Sequence, residues 1–457
     1  IIEDGARRIV GIVKDITVTA HDSTAIIMYA IQNKVIPTIP EPHLTGELQL
    51  VGVIGEQGLR RVSNPPLPFS PVYIPHDDEF VPSGKEYVKI GTFRGTNAPF
   101  KIDLEVALTK SIGIFGAQGA GKSFTALRVI EALASLKSTP NVLIFDHVGE
   151  YSRSDIVEIF SNVKVLDGRD FPPVFVSGGD ILDTLYLNTL PTQAQNACAV
   201  ASEMFITKFM KGEVSLDSTE FFALVDEFMK QFYQKGGSVE SWSKVIRERV
   251  RAFGAGLFNG AHVNEYDKLW NYCKGKIVIL DVSSEPLDLK QVKLGYIASQ
   301  ILYKRLPIHL IIDEAKNYIP ETTGGMGVTA PGKFSLSAPK LIALLEEGRK
   351  FGSSLTIINQ RPSRISKSII AGLQTLFVGR LQYETDIKII NEVSDADISK
   401  LLPQLNPGEF IITGVGSPFP EPVVVSIEKP LSKLWGSESK FFALHSLYSK
   451  EVVTSGA

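Results

Sequence analysis

Gly116-Ala117-Gln118-Gly119-Ala120-Gly121-Lys122-Ser123 fits the pattern G-x-x-x-x-G-K-[ST], with the apolar run Ile112–Phe115 before it and a helix-forming stretch, 124–133, after it. A strand that feeds such a loop into a helix makes an anion cradle. The glycines let the backbone curl until successive N–H groups and the helix N-terminus point at phosphate oxygens. Lys122 adds a point charge for the β- and γ-phosphates, and Ser123 offers a hydroxyl to Mg²⁺. The eight residues and the following Phe124 are therefore read as the cradle of a nucleoside triphosphate, with ATP and Mg²⁺ the expected ligands. An ordinary glycine-rich turn is the competing reading, and the strand-before, helix-after context counts against it.

Working outward, strand-like runs alternate with helical stretches from 93 to 430. Beside the run that feeds the loop, the candidates are 142–145, 277–282, 308–312, 355–358 and 376–381. Near-continuous apolar runs of this kind suit a parallel sheet covered on both faces. A mostly helical block at about 181–270, with helices expected over 193–210, 218–235 and 238–253, interrupts the alternation as an insertion between two strands. Runs at 409–413 and 423–427 read as a closing hairpin, and 431–457 as a tail that would brace a neighbouring subunit. Residues 1–92 differ: short β-rich runs at 8–13, 25–30, 48–53 and 87–90 predict a small N-terminal β-barrel or sandwich. Pro65, Pro66, Pro68, Pro71 and Pro75 mark an extended crossing within it.

Composition limits the partners. With 457 residues and 44% hydrophobic content the chain can build two or three domains. A formal net charge of −3 leaves no general attraction for polyanions, so contact with nucleic acid must come from a local positive surface. Cys198 and Cys273 lie in no Cys/His cluster, which argues against thiolate metal binding and fits a reducing, cytoplasmic setting better than secretion. Apolar runs are too short to cross a bilayer, so no membrane association is expected.

A phosphate loop needs an acidic partner for its metal. Ile308-His309-Leu310-Ile311-Ile312-Asp313-Glu314 supplies the best candidate: Asp313 at the end of an apolar strand would hold Mg²⁺, and Glu314 would polarise the attacking water. Two acids ending a buried strand beside a helix would look similar. Adjacent acids favour a hydrolase that drives motion over a kinase, and His309 reads as a packed residue of the sheet. Leu355-Thr356-Ile357-Ile358-Asn359-Gln360 ends in polar residues at the edge that faces the nucleotide, so Gln360 is expected to sense the γ-phosphate or orient water; a simple polar strand cap is the alternative. Just upstream, Arg349 in Glu346-Glu347-Gly348-Arg349-Lys350-Phe351-Gly352 has the planar, permanently charged fork suited to a transferred phosphate across a subunit interface, although a solvated helix end reads the same way.

Taken in order, the phosphate loop, Asp146-His147-Val148-Gly149-Glu150-Tyr151, the 312–320 stretch beginning Ile312-Asp313-Glu314, the 347–352 stretch and Asn359-Gln360-Arg361-Pro362-Ser363 resemble HerA, the archaeal and bacterial DNA-translocating ATPase family related to FtsK. The resemblance runs over nearly the whole chain. It implies an α/β fold with a RecA-like P-loop NTPase core and a mostly parallel sheet carrying the helical insertion, preceded by the family's N-terminal β-barrel. It further implies a homohexameric ring that pumps double-stranded DNA through its pore, partnered by a NurA nuclease in DNA-end resection. Carried over by motif, Lys122, Ser123, Asp313 and Glu314 form the ATP–Mg²⁺ site, Gln360 is the sensor, and Arg349 the finger reaching a neighbour.

Two departures stand out. Many family members place a basic residue and then His before the strand leading to the loop, whereas Lys110 is followed here by Ser111; the stretch 321–340 is long and glycine-rich. Candidate contacts to backbone phosphates are Lys333 and Arg153 on strand-end loops. Lys244, Arg247, Arg249 and Arg251 spread round a helix with Glu248 interleaved and read as a solvated or inter-subunit face. Val176-Ser177-Gly178-Gly179-Asp180 imitates the signature of transporter ATPases but stands far upstream of the acidic strand. A conjugation or virion-packaging motor is the closer rival, with the same core and a different client, and a non-catalytic nucleotide-gated scaffold is a third.

Overall fold

The computed structural model describes residues 1–19, 43–55, 58–60, 62–73, 87–233, 237–253, 256–258, 260, 262, 266–321, 336–394 and 396–434. Two sheets organise them. The N-terminal one is antiparallel, in the order β1 (Ile2–Asp4), β2 (Arg7–Thr19), β3 (His43–Gly55) and β4 (Gly58–Arg60). The strand expected at 25–30 lies outside the described residues, and a closed barrel is not seen among those described. The stretch expected as its last strand is instead β5 (Tyr87–Phe93), which pairs with β6 (Pro99–Asp103) in the large sheet. Burial explains the assignment: Ile90 is buried with Phe100, Ile102 and Ile112, so β5 completes the core rather than the N-terminal sheet.

The remaining strands are β7 (Ile112–Phe115), β8 (Val142–Asp146), β9 (Val163–Asp167), β10 (Ile277–Asp281), β11 (His309–Ile312), β12 (Ser354–Asn359), β13 (Thr375–Val378), β14 (Glu409–Gly414) and β15 (Val423–Ile427). With β5 and β6 they form one 11-stranded sheet in the order β6-β5-β15-β14-β13-β7-β12-β11-β8-β10-β9. From β13 to β9 every pairing is parallel. On the other side β14, β15, β5 and β6 add an antiparallel extension. The central parallel strands are buried on both faces, as a helix-covered sheet requires: β7, β8, β11, β12 and β13 are buried at every position. His309 belongs to this packing. Its Nδ1 lies 2.7 Å from Ser354 Oγ and its Nε2 2.7 Å from Thr356 Oγ1, and burial holds its pKa down to about 3, so it is neutral.

The helical block sits between β9 and β10, as helices Thr192–Met210, Ser218–Phe232 and Gly237–Phe253 flanked by shorter ones. The lookalike of the transporter signature begins one of these: Ser177 caps helix Gly178–Thr184 and Asp180 completes the reciprocal capping pair. Arg249, expected on a solvated or inter-subunit face, instead binds inside the subunit, to Tyr186 O and, at 2.9 Å, to Thr189 Oγ1. A capping need and a loop carbonyl account for both. The Gly324–Lys333 region and the tail beyond 434 lie outside the described residues.

Candidate active site

All five central parallel strands point their carboxyl ends at one edge, and the phosphate loop closes that edge between β7 and helix Lys122–Ala134. Gly119 and Gly121 have φ of +75° and +101°, the left-handed conformation that glycine adopts freely. At Gly121 a side chain would also meet the backbone of Gly408, whose N–H donates to Ala120 O at 2.9 Å. The Ala117 N–H donates to Arg380 O at 2.7 Å. The cradle is thus held from β13 and from the loop before β14. Lys122 Nζ donates to Ala117 O at 3.1 Å, and its pKa is lowered by burial, against the opposing pull of Glu314, Asp313 and Glu150. Phe124, in the first turn, is 42% exposed.

Two strands away, β11 delivers the acids. Asp313 is buried, which, together with the neighbouring carboxylates of Glu314, Glu150 and Asp146, pushes its pKa up to about 7 against the lowering effect of the Glu314 N–H at 2.7 Å. Glu314 turns the chain in the left-handed region, at φ +48°, a conformation that costs a non-glycine residue energy and is concentrated at functional sites. The turn presents its carboxylate to a cation and a donor: Lys316 Nζ forms an ion pair with Oε2 at 2.9 Å, and Gln360 Nε2 donates to Oε1 at 3.2 Å. Between these strands β12 supplies Gln360 directly after Asn359.

A further loop closes the site from β8. Asp146, fully buried, accepts hydrogen bonds from the N–H groups of Gly149 (2.9 Å), Tyr151 (3.1 Å) and Ser152 (2.8 Å), which staples the loop 147–152 across the strand end. Burial raises the Asp146 pKa while those donors lower it, the first effect winning. His147 is tied to the loop after β11, with Nδ1 2.6 Å from Tyr318 Oη and Nε2 3.2 Å from Asn317 Nδ2. Burial and then Lys290 hold its pKa down to about 4. Tyr151 is wholly buried; its hydroxyl faces Ser123 without reaching hydrogen-bonding geometry, and burial, Asp313 and Glu150 drive its pKa well up, so it stays protonated.

Of the residues expected to act, the structure brings together Lys122, Ser123, Asp313, Glu314 and Gln360. Arg349 is not among them: it is exposed, in the short turn Gly348–Phe351 that precedes β12, at the edge of the sheet opposite the phosphate loop. Sequence reasoning gave no role to Asp146, Glu150 or Tyr151, although the pattern Asp146-His147-Val148-Gly149-Glu150-Tyr151 was in view. An acid ending a buried strand, like Asp313, was the available signal. Of the other basic candidates, Arg153 lies 3.3 Å from Ser283 Oγ and Arg247 pairs with Asp226 at 2.5 Å over the Phe222 ring. Both cysteines are buried, with thiol pKa values pushed up to about 12, as inert core residues.

Among the described residues no group of three or more His, Cys, Asp or Glu side chains forms a metal cage. Mg²⁺ does not need one: it arrives with a triphosphate, keeps several waters and takes one or two protein oxygens. The Ser123 hydroxyl and the Asp313 carboxylate offer that chemistry.

A strand, a phosphate loop and its helix, with paired acids on a neighbouring strand of one parallel sheet, define a protein of the P-loop nucleotide-binding class. Within that class, residues 88–301 match the family described as helicase HerA, central domain. The chain is 24% identical over 397 residues to the DNA double-strand break repair helicase HerA of Sulfolobus acidocaldarius, covering 82% of this chain and 76% of that one. The HerA helicase of Sulfurisphaera tokodaii is 25% identical over 400 residues, with the same coverage of 82% and 76%. Among solved structures, VirB4 of Thermoanaerobacter pseudethanolicus aligns with a TM-score of 0.49 at 16% identity, over 78% of this chain and 97% of that one. No helix among the described residues is long and apolar enough to cross a membrane.

Proposed function

We propose that the chain is an ATP-driven translocase or helicase of duplex DNA, working as a homohexameric ring in DNA-end resection and break repair with a NurA-type nuclease. The observation that carries the ATPase part is the convergence at one sheet edge of a cationic phosphate loop, a buried acid and a second acid gripped by Gln360. Lys122 and the loop N–H groups bind the phosphates; Ser123 and Asp313 hold the cation. Mg²⁺, when bound with ATP, offsets the charge that builds on the transferring phosphoryl group. Glu314 accepts the proton of the attacking water, and Gln360 registers whether the γ-phosphate is present. Arg349, lying away from its own protomer's site, acts on a neighbour's.

The DNA client is supported by the match of residues 88–301 to the helicase HerA central domain and by the names of the helicase relatives. We further propose a division of the chain into an N-terminal β domain ending before β5, an ATPase core carrying the helical insertion, and a tail. A motor that grips phosphates without reading bases is stimulated by linear duplex of any sequence, and the stimulation falls steeply with salt because each contact releases counterions. ATPase rates against duplex and single strands across a salt series test this. Indifference of the assembled protein to every nucleic acid overturns the translocase reading.

A further inference from the structure

Glu150 and Tyr151 have no place in the scheme above, yet they are built into the same edge. The Tyr151 side chain is wholly buried and its hydroxyl has no hydrogen-bond partner among the described residues. Glu150 is in the same condition at Oε2, and its carboxylate lies within electrostatic reach of both Lys122 and Asp313. Leaving a buried polar atom unmatched costs about 1–3 kcal/mol, more for a charged group. A fold that stations two such atoms on one loop, pinned by three N–H bonds to Asp146, is shaped for a ligand that matches them.

The strand order says which part of the ligand. Glu314 is held from the β12 side by Gln360, where the attacking water belongs; Glu150 and Tyr151 come from β8, on the other side of β11, toward Asp313 and Ser123. A carboxylate packed beside Asp313 repels it unless a cation stands between them, and Mg²⁺ retains waters that need acceptors. We propose that Glu150 is an outer ligand of the ATP-bound divalent cation, accepting hydrogen bonds from its waters, and that the Tyr151 hydroxyl is a positioning group that fixes Ser123. The inference rests on the nucleotide-site reading.

Binding of a non-hydrolysable ATP analogue, followed by calorimetry over a Mg²⁺ titration and again in EDTA, separates the two. Glu150→Gln keeps the shape and disturbs no hydrogen bond of the ligand-free chain. It should raise the Mg²⁺ needed for half-maximal tight binding roughly tenfold or more, as loss of an outer ligand does. Metal-free affinity and melting temperature should stay at the wild-type values. Tyr151→Phe should shift the Mg²⁺ requirement in the same direction by less. A Glu150→Gln chain with the wild-type Mg²⁺ profile, or one weakened equally with and without metal, overturns the proposal. A wild-type chain that binds no nucleotide at any Mg²⁺ concentration overturns the site reading itself.

Discussion

Gln360 Nε2 lies 3.2 Å from Glu314 Oε1, so the polar end of β12 holds the carboxylate delivered by β11. Lys316 grips the other oxygen at 2.9 Å. Both oxygens of the carboxylate are thus engaged in the ligand-free chain. Its release by an arriving γ-phosphate that draws Gln360 away would couple nucleotide binding to activation of the water.

The first expected outcome concerns that carboxylate. Glu314→Gln keeps the geometry and removes the base, so kcat should fall on the order of 10²- to 10⁴-fold while ATP affinity stays close to wild type. Gln360→Ala should also leave affinity intact and lower kcat by less, since the base remains. Steady-state ATPase assays with direct nucleotide binding check both; equal hydrolysis by Glu314→Gln and wild type removes Glu314 from the mechanism.

Lys122→Ala should behave differently, weakening both binding and turnover, because the ammonium contacts the phosphates before and during reaction. Among the described residues its hydrogen bond goes to the loop's own Ala117 carbonyl. The melting temperature should therefore hardly move, which separates lost chemistry from lost fold.

Asp313 sets a pH dependence. With a pKa pushed up to about 7, it is largely protonated below neutrality in the ligand-free chain. Mg²⁺ takes the carboxylate form, so binding of Mg²⁺ with ATP at pH 6 must expel a proton, and affinity should climb with pH until about 7 and then level. Calorimetry at pH 6 in buffers of different ionisation enthalpy counts the proton. Asp313→Asn should abolish its release; an unchanged count places the titrating group elsewhere.

The candidate nucleotide site was legible because its pattern is local: loop glycines, a lysine and acids at strand ends announce themselves in short runs, and Lys122, Asp313 and Glu314 lie where those runs end. The Glu150–Tyr151 loop was not, because its meaning comes from strand order. Only when β8 lies beside β11 do these side chains face Asp313, and sequence separation hides that neighbourhood. The assignment of 87–90 failed for the same reason. A short β-rich run carries no mark of its partner, and β5 finds its partner in β15, some three hundred residues on. Strand β9 was missed outright: as the edge strand of the sheet it is only half-buried, and so lacks the apolar run by which the central strands were found.

A structural expectation follows from Lys293, which is fully buried on helix Leu287–Tyr303, with Nζ 2.5 Å from Glu285 Oε1 and 2.7 Å from Gly168 O. Burial pulls its pKa down and Glu285 pulls it back up, the first effect being the larger. Lys293→Met strands a buried carboxylate and should destabilise the chain by about 3–5 kcal/mol. Replacing both partners with apolar residues of similar volume should cost far less, because no charge is left unmatched. Denaturant melts of the single and double variants decide; equal losses would mean the pair is held by packing alone.

The last expectation concerns Arg349, whose place beside the amino end of β12 rules out service to the phosphate loop of its own protomer unless the chain refolds there. If it reaches a neighbour's γ-phosphate, Arg349→Ala should keep nucleotide affinity and cut turnover by a large factor, on the order of 10³ for arginines of this kind. Mixing Arg349→Ala with Glu314→Gln should then restore part of the activity, because some interfaces combine an intact arginine from one protomer with an intact base from the next. Neither variant alone can build such an interface, so recovery cannot come from simple dilution. Mixed assemblies with proven subunit exchange and no recovery would make Arg349 a structural residue and leave the phosphate's trans partner to be sought elsewhere.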